Sequence, residues 1–586
     1  MFSRLTISRI LRTPCGFVMK RKYGGASSNP RAKRTMATEN LPTITLDARE
    51  QQLKNLLVDV ARFIDSGSTT EVSSDSGLKA KKEPVVLRWA GGWVRDKLLG
   101  IESHDIDVAI SCMTGEAFAH HLCKFCDVPE NSQRHAMDPD DNRRLYTVAR
   151  NPDKSKHLET TSARLFGLDL DFVNLRKETY TDESRNPEMD FGTAEEDAVR
   201  RDATINALFY NLHTSQVEDF TGGLADMRAR RIRTPMDPLQ TFTDDPLRVL
   251  RLVRFASRLD FSIDSEAEEV MGDPRVLDAL RLKISRERIG IELQKMLEGK
   301  NPRASLDLIN RLGLYHAIFT DSTRADIPKP DISNWSAAYQ CLDTLEKNKD
   351  EKGSIYSTLV TGDEGRYFAW ALAALTPWEQ VPDSNSQKKN TKKQPPLVAH
   401  VAREGFKAPN RLREVITAAH LHRPAIVELK DIVCTKQQPA MQERDRFGMA
   451  IRQWEGVADN NHWRLQVLFS ILVDVEVRTR NDKHDDDSNG AAETSASSAE
   501  EVIAEWEQFL DHLAQLDVMD APSLKRIING GELTKALGGI KAGKWMNPAL
   551  DVIMAWQLRN PGVTDYAGAV EEVRKRKDGL GITGLK

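Results

Sequence analysis

The sequence predicts an α+β fold. A small mixed-sheet head over about residues 45–220 precedes a long, mainly α-helical neck, body and tail. Short β-rich runs are confined to the first third of the chain, at 85–90, 106–111, 147–149 and 168–175. From Ala194 onward, apolar residues recur at helical period with few β-rich runs. Between the two regimes, residues 176–193 (RKETYTDESRNPEMDFGT) are polar and turn-rich and read as a mobile loop.

Taken in order, residues 45–66 read as a helix with Leu53, Leu56, Leu57, Val60 and Phe63 on one face, and a Ser/Gly/Thr-rich loop follows at 66–77. The strand at 85–90 ends in Gly91-Gly92, a second strand covers 106–111, and 114–126 is helical. Residues 168–175 alternate apolar and acidic, as a half-buried strand does. Residues 195–212 and 243–261 are helical by period, the latter started by Pro246, and 283–299 is a further helix with Ser285 as N-cap. The neck is expected at 221–300, the body at 301–480 and the tail at 501–586. Segments 383–396 and 481–500 are low-complexity and read as a disordered insertion and a disordered linker.

A length of 586 residues suits roughly three to four domains. The net charge of −4 excludes a global polycation, so nucleic-acid contact must come from local patches such as 527–545 and the RKRK run at 574–577. No run of about 20 uncharged apolar residues exists, so no membrane span is expected. Six cysteines argue against a disulfide framework. His120, His121, Cys123 and Cys126 lack the second ligand pair of a structural zinc site and read as a buried helix face.

Residues 1–38 contain no acid but hold Arg4, Arg9, Arg12, Lys20, Arg21, Lys22, Arg31, Lys33 and Arg34. That composition fits a mitochondrial targeting segment, or a basic tail. Initiation at Met36 instead of Met1 would delete it, giving forms for mitochondrion and for cytoplasm or nucleus.

The chemistry concentrates around Asp105-Ile106-Asp107. Side chains alternate along a strand, so both carboxylates share a face. Two adjacent acids repel, and a hard cation, Mg²⁺, is the usual reason to keep them together. Gly91 and Gly92 just upstream would let backbone N–H groups approach a polyanion. Phosphate cradle and paired carboxylates together point to phosphoryl or nucleotidyl transfer. Asp171 shares a strand face with Asp169 and offers a third carboxylate as general base, or simply an exposed strand face.

In the run 195–212, Arg201 could meet a phosphate and Asp202 a ribose 2′-OH, with Asn206 one turn on in support. Arg200, Arg201 and Asp202 also read as an ordinary surface ion-pair cluster. Asp245 and Arg248 are three apart, so they share a helix face. An Asp acceptor beside an Arg donor matches the Watson–Crick edges of cytosine and adenine and leaves uracil and guanine unpaired, a discrimination of roughly 10⁴-fold. The plainer reading makes Asp245, or Asp244, the cap of that helix. Arg286 and Arg288 either steady it or are scaffold.

In this order and spacing, AGGWVRDKLLG with HDIDVAI, RRDATINAL, DFTGGLADMRARRIRT, DDPLRVLRLVRFASRL and ISRERIGIE resemble the class II tRNA nucleotidyltransferases, the CCA-adding enzymes of the polymerase-β-like superfamily. The resemblance covers about 85–300 and implies a nucleotidyltransferase head. It puts the metal carboxylates on Asp105 and Asp107, the ribose-selecting segment on Arg200, Arg201 and Asp202, and the amino-acid template for CTP and ATP on Asp245 and Arg248; Asp171, from the strand pattern alone, is the candidate third catalytic carboxylate. The whole set of expected nucleotide contacts is Gly91, Gly92, Arg95, Asp96, Arg200, Arg201, Asp202, Asn206, Asp245, Arg248 and Arg251. Loop 176–193, with Arg185, resembles the segment that helps switch from C to A addition. The extra N-terminal segment and insertions resemble eukaryotic, fungal members. Implied partners are tRNA, CTP and ATP, with Mg²⁺ as cofactor and a monomer that adds CCA. A poly(A) polymerase, an A-only or CC-only adder, and a non-catalytic RNA-binding protein are the alternatives.

Overall fold

A computed structural model describes residues 43–67, 83–137, 161–181, 184–321, 324, 327–351, 353–382, 395–455, 462–485 and 491–583. The amphipathic stretch 1–12, the strand expected at 147–149, and nearly all of segments 66–77 and 383–396 lie outside them.

Helix α1 (Ala48–Asp65) opens on a capping box in which Asp47 and Glu50 satisfy each other's backbone N–H groups. It leads to β1 (Leu87–Ala90), α2 (Gly92–Leu98), β2 (Asp105–Ile110) and α3 (Gly115–Cys126). β3 (Thr161–Leu165) and β4 (Leu168–Asn174) follow, and later β7 (Leu208–Asn211) and β8 (Gln216–Asp219). The six strands form one mixed sheet in the order β3-β4-β2-β1-β7-β8, with β2 and β4 parallel and the other pairs antiparallel.

Hydrophobic alternation decides where the acids go. Ile106, Val108 and Ile110 of β2 join Leu53, Leu56, Trp89, Phe118 and Phe172 in the main core. The intervening Asp105, Asp107 and Ala109 must then face the other side of the sheet. That side carries only a thin layer of Ala90, Ala109, Leu175, Ala198, Ala207 and Phe209.

Two segments of the head differ from expectation. Residues 176–193 are not a loop: β5 (Arg176–Thr181) and β6 (Ser184–Phe191) form an antiparallel hairpin. Thr179, Tyr180 and Thr181 bring β propensity, and Arg176 and Glu178, two apart on one strand face, pair at 2.8 Å. The run 195–212 is helical only over Ala194–Val199, then makes a 3-10 turn at Thr204–Asn206 before β7. β7 is buried on both faces, so it lacks the period-two signature of a half-exposed strand.

Beyond the sheet the chain is helical. The first neck helix, Leu247–Leu259, buries Val249, Leu250, Leu252, Val253 and Phe255. The second, Arg286–Leu297, is capped by Ser285 as expected and crosses the helix Leu397–Phe406 so closely that a Cβ on Gly290 would overlap the Phe406 carbonyl. The body packs helices Trp335–Lys347, Gly362–Glu379, Asn410–Cys434 and His462–Asp485 around Trp335, Trp370 and Trp463. The linker expected at 481–500 is helical in its described residues, which belong to His462–Asp485 and Ala491–Gln515. A second small core, with Ile528, Leu533, Ile553, Val570 and Val573, gathers the tail helices Gly530–Ala536, Met546–Arg559 and Ala567–Lys575.

No helix among the described residues is long and apolar enough to cross a membrane. The five described cysteines are free, and burial pushes the Cys126 thiol up to about 12. Segment 219–234 is a structural turn: the Asp219 carboxylate accepts the N–H groups of Gly222, Gly223 and Leu224, with Gly222 at φ +82. In the basic run near the C-terminus, Arg576 pairs with Glu572 at 2.6 Å.

Candidate active site

β2 and β4 run in parallel register, with Asp105 across from Asp169 and Asp107 across from Asp171. Four carboxylates thus occupy one patch of the open sheet face. Asp171 accepts from Ser162 Oγ at 2.5 Å, and Asp169 lies 3.4 Å from Arg164. Burial raises the Asp105 pKa, and Asp171 and Asp169 raise it further, while Lys295 of the second neck helix opposes them. Asp107 is raised chiefly by burial; Arg201 counters this, and Asp171 and Asp105 add to it. Both carboxyls therefore sit where a further positive charge would be welcome.

Gly91 closes the β1–α2 turn at φ +68, a backbone region that favours glycine. A Cβ there would stand 2.9 Å from Arg201 Nη1 and 3.6 Å from Asp107 Oδ2. The glycine therefore makes room for the arginine beside the carboxylate. Its own N–H is taken by the Leu208 carbonyl at 3.1 Å, so Gly91 does not offer the N–H expected of a phosphate cradle.

Arg200, Arg201 and Asp202 lie on the turn after the short helix and diverge. Arg200 donates to Asp197 at 2.9 Å and to Glu178 at 2.9 Å. Arg201 donates to Asp197 at 3.0 Å and to the Asn206 carbonyl at 3.1 Å, and covers the Phe209 ring. Asp197, only 1% exposed, is the residue that sequence reasoning missed; its spacing of three and four from the arginines was the available signal. Burial alone would raise the Asp197 carboxyl, but Arg201 and Arg200 hold it below the usual range.

Asp202 is a buried junction. It accepts from Asn206 Nδ2 at 3.1 Å, as expected, and from Arg251 Nε at 2.6 Å. Burial would raise its pKa; Arg251, Asn206 and Arg248 hold it far below the ordinary carboxylate value. Arg251 also lies 3.6 Å from Glu292, which takes Arg254 Nε at 2.6 Å. Arg95 and Asp96, expected to meet nucleotide, are instead 3% exposed. Arg95 pairs with Asp96 at 2.7 Å and donates to Asn206, and Asp96 takes Arg258 at 3.0 Å. They brace the Asn206–Asp202 unit from behind, since their charges are already satisfied within the protein.

The proposed base readers are close in the chain, but their side chains are engaged separately. Arg248 N–H donates to the Asp245 carbonyl at 3.0 Å. The Asp245 carboxylate accepts weakly from Leu247 N at 3.3 Å and lies 3.5 Å from Arg288. It therefore sits at the helix start, whereas Asp244 bonds Gln240. Arg288 steadies this segment, while Arg286 donates to the Ala317 carbonyl as scaffold. Arg248, 6% exposed, donates to the Arg200 carbonyl at 2.8 Å and lies 3.9 Å from Glu178. Glu178, which sequence reasoning also missed, thus ties the hairpin to both Arg200 and Arg248. Arg185 falls on β6, and its side chain lies outside the described residues.

Among the described residues, no group of three or more His, Cys, Asp or Glu side chains is gathered closely enough to hold a metal. The candidate donors are Asp105 and Asp107, a doubly negative, all-oxygen pair that suits a hard cation sharing its remaining ligands with a substrate phosphate.

Comparison with known proteins gives a consistent picture. The family described as "Poly A polymerase head domain" matches residues 87–233, and "Probable RNA and SrmB- binding site of polymerase A" matches 260–325. "Nucleotidyltransferase lcsQ" of Purpureocillium lilacinum is 51% identical, over 97% of this chain and 98% of its own length. "CCA tRNA nucleotidyltransferase, mitochondrial" of Saccharomyces cerevisiae is 34% identical, over 92% of this chain and 95% of its own. Among solved structures, a CCA-adding enzyme in an apo form superposes with a TM-score of 0.56 at 21% identity, covering 90% of this chain and 96% of that one, a likeness of fold.

Proposed function

We propose that this chain, which belongs to the CCA-adding tRNA nucleotidyltransferases, adds C, C and A to the 3′ end of tRNA from CTP and ATP, without a nucleic-acid template. The tRNA 3′-OH attacks the α-phosphate and pyrophosphate leaves.

One network carries the reading. The open-face carboxylates Asp105 and Asp107 share one strand face, and Asp107 lies beside Arg201, whose neighbour Asp202 is bonded through Arg251 to the helix that bears Arg248 and follows Asp245. The acids, the ribose-side acid and the base-side arginine are thus held in one frame. Asp105 and Asp107 would hold Mg²⁺. Bound there, the ion would supply the positive charge that activates the attacking hydroxyl and neutralises the leaving pyrophosphate. Arg201 faces the phosphates beside Asp107. Asp171 stands across from Asp107 as a general base for the hydroxyl proton. Asp202 accepts from the ribose 2′-OH, and Asp245 with Arg248 reads the base once Arg288 and Glu178 release them.

The test is extension of a tRNA lacking its 3′-terminal CCA with each nucleotide alone and with CTP and ATP together. Two C residues followed by one A, and no further addition, is the expected product. A long A tract would instead make the chain a poly(A) polymerase; addition of only C or only A would make it a partial adder; no product would leave an RNA-binding protein.

The basic, acid-free residues 1–38 support import into mitochondria, in keeping with the yeast relative's designation. Initiation at Met36 would yield a second pool in cytoplasm or nucleus. Identical mapped N-termini in mitochondrial and cytosolic fractions would exclude this. The protein acts as a monomer in this reading, which light scattering of the purified chain tests.

A further inference from the structure

The two neck helices run side by side, and where they meet the chain leaves a cleft of about 360 Å³ lined by Arg254, Ser257, Arg258, Lys295, Lys300 and Asn301, among others. Arg254, Arg258 and Lys295 border the site described above, and Ser257, Lys300 and Asn301 extend the cleft away from it. Arg254 and Arg258 are bound to Glu292 and Asp96. Lys295 and Lys300 are exposed, and neither makes an ion pair among the described residues. Asn301 caps the helix Pro302–Arg311, which adds its positive end to the same place. The one acid in the lining, Glu298, accepts a hydrogen bond from Gln294 at 2.7 Å.

The cleft has a definite place relative to the chemistry. Along the first neck helix, Arg248 is at the base-reading end, Arg251 joins Asp202, and Arg254 and Arg258 border the cleft. Ten residues separate Arg248 from Arg258, about 15 Å at helical rise. The two carboxylates have different neighbours: Arg201 stands beside Asp107, whereas the Lys295 charge reaches Asp105. In phosphoryl transfer the attacking and leaving oxygens lie roughly in line, on opposite sides of phosphorus. If the pyrophosphate leaves on the Arg201 and Gly91 side, the attacking strand arrives on the Asp105 and Lys295 side.

We infer that this neck cleft, through Lys295 and Lys300, holds a backbone phosphate of the RNA 3′ strand whose terminal hydroxyl is being extended. The inference rests on the proposed nucleotidyl transfer and gives the attacking strand its own seat, separate from the nucleotide's. The contact is to backbone, so it serves whether the end is unextended, C or CC.

Lys295→Ala, Lys300→Ala and the double variant test it in the full chain, by steady-state kinetics with tRNA lacking CCA. Both lysines are exposed, so folding should persist, and circular dichroism checks it. Each single change should raise the KM for tRNA about fivefold and lower the slope of log KM against log salt by about 0.7, the loss of one phosphate contact. The KM values for CTP and ATP should hold. Lys295→Arg should restore the tRNA KM, which a packing role would not predict. An unchanged tRNA KM and salt slope overturns the inference. So does a change confined to the nucleotide KM or to inhibition by added pyrophosphate, which would assign the cleft to the leaving group. Wild-type addition of C and A in the same assay keeps the two questions apart.

Discussion

Arg251 of the first neck helix donates its Nε to Asp202 of the head at 2.6 Å, while its other arm lies 3.6 Å from Glu292 of the second neck helix. One guanidinium therefore joins three segments, and the Asp202 carboxylate, nearly out of solvent, depends on it. Arg251→Ala should destabilise the protein by about 2 kcal/mol, a buried-pair value reduced because Arg251 is partly exposed. The Asp202 pKa is lowered in the fold, so the stabilisation is complete above the unfolded value of about 3.9 and is lost as pH falls toward the folded value. Denaturant titration at pH 7 and at pH 3 should show the gap between wild type and variant shrinking in acid.

Asp107→Asn removes one charge from the proposed metal pair without changing its shape. Nucleotide incorporation should fall by about 10³-fold or more, with tRNA affinity nearly intact, measured by single-turnover extension and filter binding. Both Asp105 and Asp107 have raised pKa values, so the acid limb of kcat/KM should lie above the ordinary carboxylate range. Because cation and proton compete for the same oxygens, more Mg²⁺ should move that limb to lower pH.

Gly91→Ala places a methyl group 2.9 Å from Arg201 Nη1 at a positive φ. The backbone penalty is about 1 kcal/mol, and the larger effect is displacement of Arg201 from Asp107. The expected signature is a fall in kcat of about tenfold or more with a small change in Tm, from parallel kinetics and thermal melts.

Glu178 lies within ion-pair reach of Arg176, Arg200 and Arg248. Glu178→Gln should weaken the hold on Arg248 and loosen base choice. The ratio of kcat/KM for CTP and ATP over UTP and GTP should fall several-fold, while tRNA affinity is unchanged. An unaltered ratio would confine Glu178 to holding the hairpin.

Glu476, in the body, is buried with one oxygen unpartnered, and burial pushes its pKa up to about 7 despite Thr376 and Arg480. A raised folded pKa makes the charged form costly: stability is full below the unfolded value near 4.3 and falls as pH rises through 7. Glu476→Gln should therefore stabilise the protein at pH 8, by an amount on the order of 3 kcal/mol, and hardly at all at pH 4. Tm measured across that range reads the difference.

The sequence made some elements plain and hid others for physical reasons. Asp105 and Asp107 were legible because polar and apolar residues alternate over Asp105–Val108, and the capped amphipathic helices were legible from their period. β7 was hidden because burial on both faces erases alternation. The hairpin was hidden because its polar strands are satisfied by one another and by Arg200, which leaves no apolar pattern to read. Arg95 and Asp96 look like exposed ligands in the chain, yet their charges cancel inside the fold. Glu178 and Glu292 pair with arginines far away in sequence, which no local signal marks, whereas Asp197 sits at helical spacing from Arg200 and Arg201.

Gly290 meets the Phe406 carbonyl with no side chain between them. A joint of bare backbone has no rotamers to exchange, so the second neck helix, with Lys295 at its far end, is seated on the body like the fixed jaw of a caliper. Any side chain at Gly290 would act as a shim under that jaw, and the shift would travel through Arg288, Glu292 and Lys295, which share its helix, to Asp245, Arg251 and Asp105.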